Sequence, residues 1–309
     1  MERGLGTYYL LLHITVFIFG FTGILGKQIT SSDGGMDSVN LVLYRMVIAF
    51  IGLLLYMKLV KRIKFKAGKK AILGFIGIGA IIAAHWITFF YSIQVSNVSI
   101  ALACISSSAL FTSIIEPLLI KKKIDVSEMV LGVATVVGIS IIVDAEMDKV
   151  EGIILAIISA ALAGLFGVLN SIETKKHRPT EISVVEMLSG AFFTFLFLII
   201  SGWKIISLAD VSSDNWGLII VLGLVATSFA FVATVEVMKV LSPFTVALSI
   251  NLEPIYAIIM ALLFFPESEQ MSPLFYLGAG IIIGTLIVNA LIKKSRRKKL
   301  KSSENPIDS

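Results

Sequence analysis

Apolar residues run along this chain in blocks of about twenty, separated by short polar or charged segments. A helix needs about 20 apolar residues to cross the hydrocarbon core of a bilayer. The pattern predicts ten such spans, at 7–28, 38–57, 71–93, 98–120, 127–143, 151–171, 182–200, 215–238, 243–265 and 273–292. The fifth is short. Spans three and four are separated only by Gln94–Asn97, and spans eight and nine only by Lys239–Ser242. Glu2-Arg3 ahead of an apolar run resembles the start of a signal peptide. Thr7 to Gln28 is long enough to span, however, and no small-residue cleavage site follows, so the reading is a retained first helix.

Composition agrees with that pattern. Apolar residues make up 57% of the 309 positions, charged residues 15%, and mean hydropathy is +0.94. A soluble domain carries charge at roughly a quarter of its positions, so most of this surface must face lipid. The one cysteine, Cys104, lies in an apolar run, which excludes an internal disulfide and a Cys-based metal site.

The charges that remain are placed asymmetrically. Lys and Arg concentrate in Lys58–Lys70, Lys121–Lys123, Lys175–Arg178 and Lys293–Lys301. Each run abuts a hydrophobic segment and none sits on a soluble domain, so they read as loops on the cytoplasmic side and not as a nucleic-acid surface. With both termini cytoplasmic, the inner segments hold 22 basic residues and the outer loops only Lys149 and Lys204. One missed span would scramble this bias, so it also supports an even count.

Residues 77–142 match 223–288 at a constant offset of 146 without a gap, with eleven identities that include Gly77/Gly223, Thr88/Thr234, Ser96/Ser242, Gly132/Gly278 and Gly138/Gly284. Gly20-Phe21-Thr22-Gly23 also overlays Gly164-Leu165-Phe166-Gly167. Two repeats of five spans follow, residues 1–147 and 148–292, with a basic cytoplasmic tail at 293–309. Five is odd, so the second repeat enters the membrane from the opposite side. The expected fold class is therefore an all-α integral membrane protein of ten transmembrane helices in a 5+5 inverted repeat, an organisation that places a solute site near the midplane between the halves.

With this layout the sequence resembles the drug/metabolite transporter superfamily, specifically its EamA-domain family. The resemblance is carried by Phe19-Gly20-Phe21 through Lys27, by Tyr44-Arg45, and by Tyr91-Ser92-Ile93 with Ser96 and Ala101-Leu102. It continues in Ser242-Pro243, Ala247-Leu248 and Glu253-Pro254, and closes with Leu131-Gly132, Gly138, Leu277-Gly278 and Gly284. It covers residues 7–292 and implies transport of a small solute. Phe19 stands where the family usually has Trp, and Ser107-Ser108 where the second half has Glu253-Pro254, so the substrate class stays open.

An ionisable group deep in a span costs several kcal/mol unless paired or hydrated, so depth sorts the candidates. Glu116, Glu173, Glu186 and Glu236 lie near cytoplasmic ends beside Lys residues and read as interfacial ion pairs. Glu253 lies mid-span, flanked by Asn251 and by Pro254, which frees a carbonyl of the helix ladder. It reads as a pathway residue or as part of a kinked packing contact. Arg45 reads as an anion site or ion-pair partner, or as a side chain that snorkels outward; Lys27 reads as a snorkelling end residue. His85 either titrates or bonds a neighbouring helix's carbonyl. Trp86 and Tyr91 either line a solute pocket or pack. Ser107, in Ser106–Ser108, and Asn170 either bond solute or let helices approach closely, and the repeated glycines read as packing surfaces.

No Walker A sequence, His-rich metal spacing or Ser-His-Asp arrangement is present, so no ATP, metal or cofactor is expected. The reading is a secondary transporter, and not an enzyme, that exports a metabolite, amino acid or drug-like solute across the plasma membrane. Its expected partners are that solute, the lipid bilayer, protons coupled through Glu253, and a second copy of the chain in a homodimer; nucleic acid is not among them. The rival readings are an intramembrane enzyme using Glu253 and His85 as acid and base, and a non-transporting sensor or scaffold.

Overall fold

The computed structural model describes residues 5–304 other than 61, 63, 122, 124, 125, 242 and 251. Every regular element among the described residues is helical. The first half comprises α1 (Leu5–Ser31), α2 (Ser38–Leu55), α3 (Lys69–Val95), α4 (Val98–Ile105), α5 (Ser108–Ile120) and α6 (Val126–Ala145). The second comprises α7 (Val150–Glu173), α8 (Pro179–Ser201), α9 (Ser213–Gly223), α10 (Ala230–Val237), α11 (Pro243–Ile250), α12 (Glu253–Phe264) and α13 (Pro273–Glu304). Among the described residues, seven helical stretches are long and apolar enough to cross a membrane, and three shorter apolar helices accompany them. Large apolar side chains such as Leu10, Phe17, Leu73, Phe192, Ile200 and Leu263 are exposed, as they must be on a surface solvated by lipid.

The helices start and stop where local chemistry directs. Asp37 accepts the backbone N–H groups of Val39 and Asn40 (both 3.0 Å) at the start of α2, and Asn97 accepts Ile100 N–H (2.9 Å) at the start of α4. Pro179 opens α8, and Gly202 ends it with a φ of 70°.

Three spans expected to be continuous are interrupted. The span expected at 98–120 breaks at Ser106-Ser107, between α4 and α5, and the one at 243–265 breaks after Ile250, between α11 and α12. These breaks fall within one residue of the repeat offset of each other. The eighth is interrupted by a π-helical segment, Leu224–Phe229, between α9 and α10. In the first break the serine hydroxyls add second bonds to carbonyls that already accept the serines' own N–H groups: Ser106 Oγ donates to Leu102 O (2.9 Å) and Ser107 Oγ to Cys104 O (2.7 Å). The last helix also exceeds its expected end at 292 and runs to Glu304, because the basic tail carries no helix breaker before that point.

The packing maps onto itself when the halves are exchanged. α3 packs on α7 as α1 packs on α10, and α3 on α8 as α2 on α9. The contacts α5·α7 and α4·α7 correspond to α12·α1 and α11·α1; α4·α12 corresponds to α11·α5. α2·α8 and α6·α13 are their own counterparts. Glycines make several of these approaches possible. A Cβ on Gly20 would lie 3.3 Å from Tyr256 and 3.7 Å from Ala257 N; one on Gly164 would lie 3.2 Å from Phe111 and 3.0 Å from Thr112 N, within one residue of the equivalent positions in the other half.

The repeated glycines are not all packing surfaces. Gly138 and Gly278 meet backbone to backbone, so that a Cβ on either would fall 2.8 or 2.6 Å from the other's carbonyl oxygen. Thr135 and Thr285 hydrogen-bond across the same α6–α13 seam (3.2 Å). Gly284, by contrast, has open space at its Cβ position. Gly138→Val should therefore cost about 1–3 kcal/mol by overpacking and lower the unfolding midpoint in detergent, whereas Gly284→Val should leave it unchanged. Thermal unfolding of the two purified variants checks this.

Candidate functional site

A cavity of about 140 Å³ lies where the halves meet. Its wall takes Phe19 and Thr22 from α1, Arg45 from α2, His85, Trp86 and Phe89 from α3, and Ser106, Ser108 and Thr112 from the broken α4–α5 passage. The second half supplies Ala163, Gly164, Phe166 and Gly167 from α7, Phe231 and Thr234 from α10, and Glu253 from the start of α12. Both helix breaks therefore border the cavity. That is where an interrupted backbone is tolerated in a membrane, beside a polar space or a protein contact.

Arg45 is the most constrained of these residues. It is 1% exposed, so it does not snorkel, and it forms no ion pair with a described residue. Its guanidinium carbon stands 3.9 Å from the Trp86 ring centroid and 5.1 Å from that of Phe90. Nε and Nη2 both donate to Thr227 Oγ1, at 3.1 and 2.9 Å, while Nη1 has no acceptor. Ring faces stabilise a desolvated cation by about 2 kcal/mol or more, which holds the plane in place but leaves one donor edge unspent.

Glu253 is the only carboxylate among the described cavity residues, and it interacts electrostatically with Arg45, to which no direct salt bridge or hydrogen bond is formed. Asn251, its expected neighbour in the site, lies outside the described residues. His85 commits Nδ1 to Ser159 O (2.9 Å), and Ser159 Oγ donates back to His85 O (2.9 Å), tying α3 to α7 while the imidazole borders the cavity.

Three expected site residues do not line this cavity. Tyr91 turns away and packs its ring against Trp203 (5.9 Å between centroids). It follows Trp86 by five residues, which rotates it well off the Trp86 face. Ser107 spends its hydroxyl inside the helix break, while Ser106 and Ser108 border the cavity instead. Asn170 is buried, with Oδ1 unpartnered, one turn beyond Gly167.

Among the four acids expected at interfaces, Glu236 pairs with Lys239 (2.9 Å) and Glu173 lies 3.8 Å from His177. Glu186 corrects the expectation. It is 0% exposed and its carboxylate faces the Asn170 side chain, because its helix face packs on α3 at Gly79 and turns away from the basic loop.

Polar bonds between the halves gather at the end of the bundle away from the basic loops. Ser32 Oγ donates to Asn215 Oδ1 (2.8 Å), Ser212 N to Gly34 O (2.9 Å), and Asn40 Nδ2 to Lys204 O (2.9 Å). Gly34 is required there: its φ is +63°, and a Cβ would lie 3.0 Å from that of Ser212.

Lys27 also departs from its expected role. Instead of snorkelling it donates to Glu269 Oε1 (2.7 Å), and the same carboxylate accepts Val98 N–H (3.1 Å) and Ser99 N–H (2.9 Å) at the start of α4. Nearby, burial raises the Glu146 carboxyl, but bonds from Ser272 and Lys149 outweigh it and hold it below its usual range. At the basic end the described polar bond between halves is Lys66 N to Glu181 (3.0 Å).

The weak point of this arrangement is the Arg45 anchor. Thr227→Val removes the only described acceptor of a buried cation and should cost about 1.5–3 kcal/mol. Thr227→Ser should keep most of that stability. Unfolding midpoints of the two variants in one detergent give the comparison.

The comparisons with known proteins agree with this architecture. A solved crystal structure with 15% identity superposes with a TM-score of 0.66, covering 94% of this chain and 99% of that one, which shows a shared fold. No curated protein matches the sequence. The model of the EamA-like transporter family matches twice, at residues 6–144 and 150–291. These two matches take in nearly the whole chain, which belongs to the EamA-like transporter family.

Proposed function

We propose that this protein is a secondary transporter that exports a small solute across the plasma membrane by alternating access through the central cavity. The ten helical passages then form ten spans with both termini cytoplasmic, arranged as two inverted repeats, 1–147 and 148–292. The observation that carries the reading is the position of the cavity: both halves line it, both helix breaks border it, and polar bonds between halves seal one end. The exchange symmetry of the packing supports it, because two equivalent halves can adopt inward-open and outward-open arrangements of similar energy. An enzyme has no need of that symmetry, and a sensor would need an output module that the short loops do not supply.

The pathway we assign runs past Arg45, His85, Trp86 and Glu253, with Ser106, Ser108 and Thr112 taking the place expected of Ser107. Protons are the coupling ion we assign to Glu253. A proton and a solute that compete for one carboxylate cannot ride together, which makes exchange obligatory and export downhill in protons. Assembly into a homodimer would leave this pathway within each copy.

Ala163→Trp puts bulk into the cavity from a wall position while Arg45 and Glu253 are left unchanged. In proteoliposomes it should lower solute counterflow by about tenfold or more while the protein stays folded. Glu253→Gln should abolish uptake driven by a pH gradient. Full counterflow by a folded Ala163→Trp variant would contradict the pathway, and gradient-driven uptake by Glu253→Gln would contradict the coupling.

A further inference from the structure

We propose that a crevice on the back of α10, outside the central cavity, is a binding site for one anionic phospholipid of the leaflet beside the basic loops.

The crevice has a volume of about 740 Å³, within the range of about 300–1,000 Å³ found for sites that enclose an organic ligand. It lies where the end of α2, the start of α8 and the end of α10 meet, at the end of the bundle that carries the basic loops. It is not a branch of the proposed pathway. Phe231 and Thr234 of α10 border the central cavity, whereas Val232, Ala233 and Glu236 border the crevice. At about 100° per residue the two sets fall on opposite faces, so α10 stands between the two spaces.

One part of the wall suits an acyl chain. Leu53, Leu224, Phe229 and Val232 line it, and Leu224 and Phe229 are also 40% and 48% exposed on the lipid side. Water gains few hydrogen bonds from such a wall, so hydrocarbon is the better filling.

The other part suits a phosphate. Arg178, Thr180, Glu236 and Lys239 line it there. Lys239 is engaged with Glu236 (2.9 Å), while Arg178 has no ion pair with a described residue. Two cations against one carboxylate leave a surplus of one positive charge. Thr180 is 8% exposed, yet its hydroxyl has no hydrogen bond to a described residue. Its N–H is free as well, since Arg178 O is taken by the N–H groups of Glu181 and Ile182, and Pro179 before it supplies no donor. Glu181, the acid of that first turn, does not line the crevice and accepts Lys66 N–H (3.0 Å). A guanidinium, a buried hydroxyl and a helix N-terminus are together the donors that a phosphate takes. The surplus charge favours a lipid with one net negative charge over a zwitterionic one, as in other basic pockets between spanning helices.

The π-helical segment Leu224–Phe229 links this site to the centre. Leu224, Ser228 and Phe229 border the crevice, while Thr227 accepts from Arg45. A lipid seated here therefore braces the segment that holds Arg45, and it stabilises the folded protein by mass action.

The test uses the full chain, stripped of lipid in detergent. It is titrated with phosphatidylglycerol, with phosphatidylcholine of the same acyl chains, and with glycerol phosphate, which has the anion without the chains. Binding is read by native mass spectrometry and by the unfolding midpoint. Phosphatidylglycerol should be retained as one molecule per protein, should raise the midpoint, and should bind about fivefold or more tighter than phosphatidylcholine. Glycerol phosphate should not displace it. Arg178→Gln should weaken phosphatidylglycerol about fivefold or more. Lys176→Gln, which removes a charge from the same loop outside the crevice, should leave it unchanged. Val232→Trp, which puts bulk among the apolar residues, should abolish retention; if that variant does not fold, the contrast between Arg178→Gln and Lys176→Gln decides. Equal binding of phosphatidylcholine would show a groove without charge selection, and displacement by glycerol phosphate a site for a soluble anion. Equal loss from the Lys176 and Arg178 variants would show a diffuse attraction of the loop. Each of these, like failure to retain phosphatidylglycerol, overturns the proposal, and none of them bears on transport through the central cavity.

Discussion

A hydrocarbon interior provides no hydrogen bonds, so every backbone N–H and C=O in the bundle must be satisfied by protein. That constraint explains why unbroken helices predominate and why the breaks in two of them matter. Ser106-Ser107 and the residues after Ile250 interrupt the ladder at nearly equivalent positions, and both sites lie between helices at the cavity. At the first break serine hydroxyls return to carbonyls one turn back. At the second, Leu252 N bonds Ser249 O (3.1 Å) while Pro254 follows at the head of α12. A fold selected for stability alone would have closed both ladders. Leaving them open beside a cavity preserves polar ground at a depth where polar ground is scarce.

The same scarcity governs the charges. Arg45 is tolerated in an apolar surrounding because Trp86 and Phe90 supply ring faces and Thr227 an acceptor, none of which carries a negative charge. At the opposite end, the Lys27–Glu269 pair with the α4 N–H groups is fully satisfied. Unpartnered buried polar atoms occur in the cavity, at Thr22 and Arg45, but also toward the sealed end, at Ser38 and Ser99, and beyond the cavity wall, at Ser183 and Asn170.

The bundle was legible because lipid imposes a coarse rule on sequence: apolar blocks of spanning length and basic loops on one side. The repeat was legible because glycines, such as Gly20 and Gly164, must recur where two halves make the same close approach. What the pattern could not supply was the face each residue takes. Mean hydropathy is nearly the same all round a membrane helix, so periodicity does not mark the inward side. Tyr91 and Ser107 therefore read like Trp86 and Ser106 although they point elsewhere. Glu186 read as interfacial from its depth, while its burial depends on a glycine of another helix, Gly79. The stack of Arg45 on Trp86 joins α2 to α3 by tertiary packing alone, and no spacing in the sequence announces it.

The central claim is that the sealed end must open for the cavity to be reached from that side. Lys27→Cys with Glu269→Cys, on a Cys104→Ser background, replaces the ion pair of the seal with a reversible crosslink. With Ala163→Cys added as a cavity reporter and blocked from the disulfide during oxidation, accessibility to an impermeant thiol reagent can be read from each face. The account predicts that the oxidised protein is labelled at the cavity only from the cytoplasmic face and does not transport. Reduction should restore both labelling from the far side and transport. Transport by the fully crosslinked protein, or cavity labelling from the sealed side while the disulfide is intact, would contradict alternating access through this cavity.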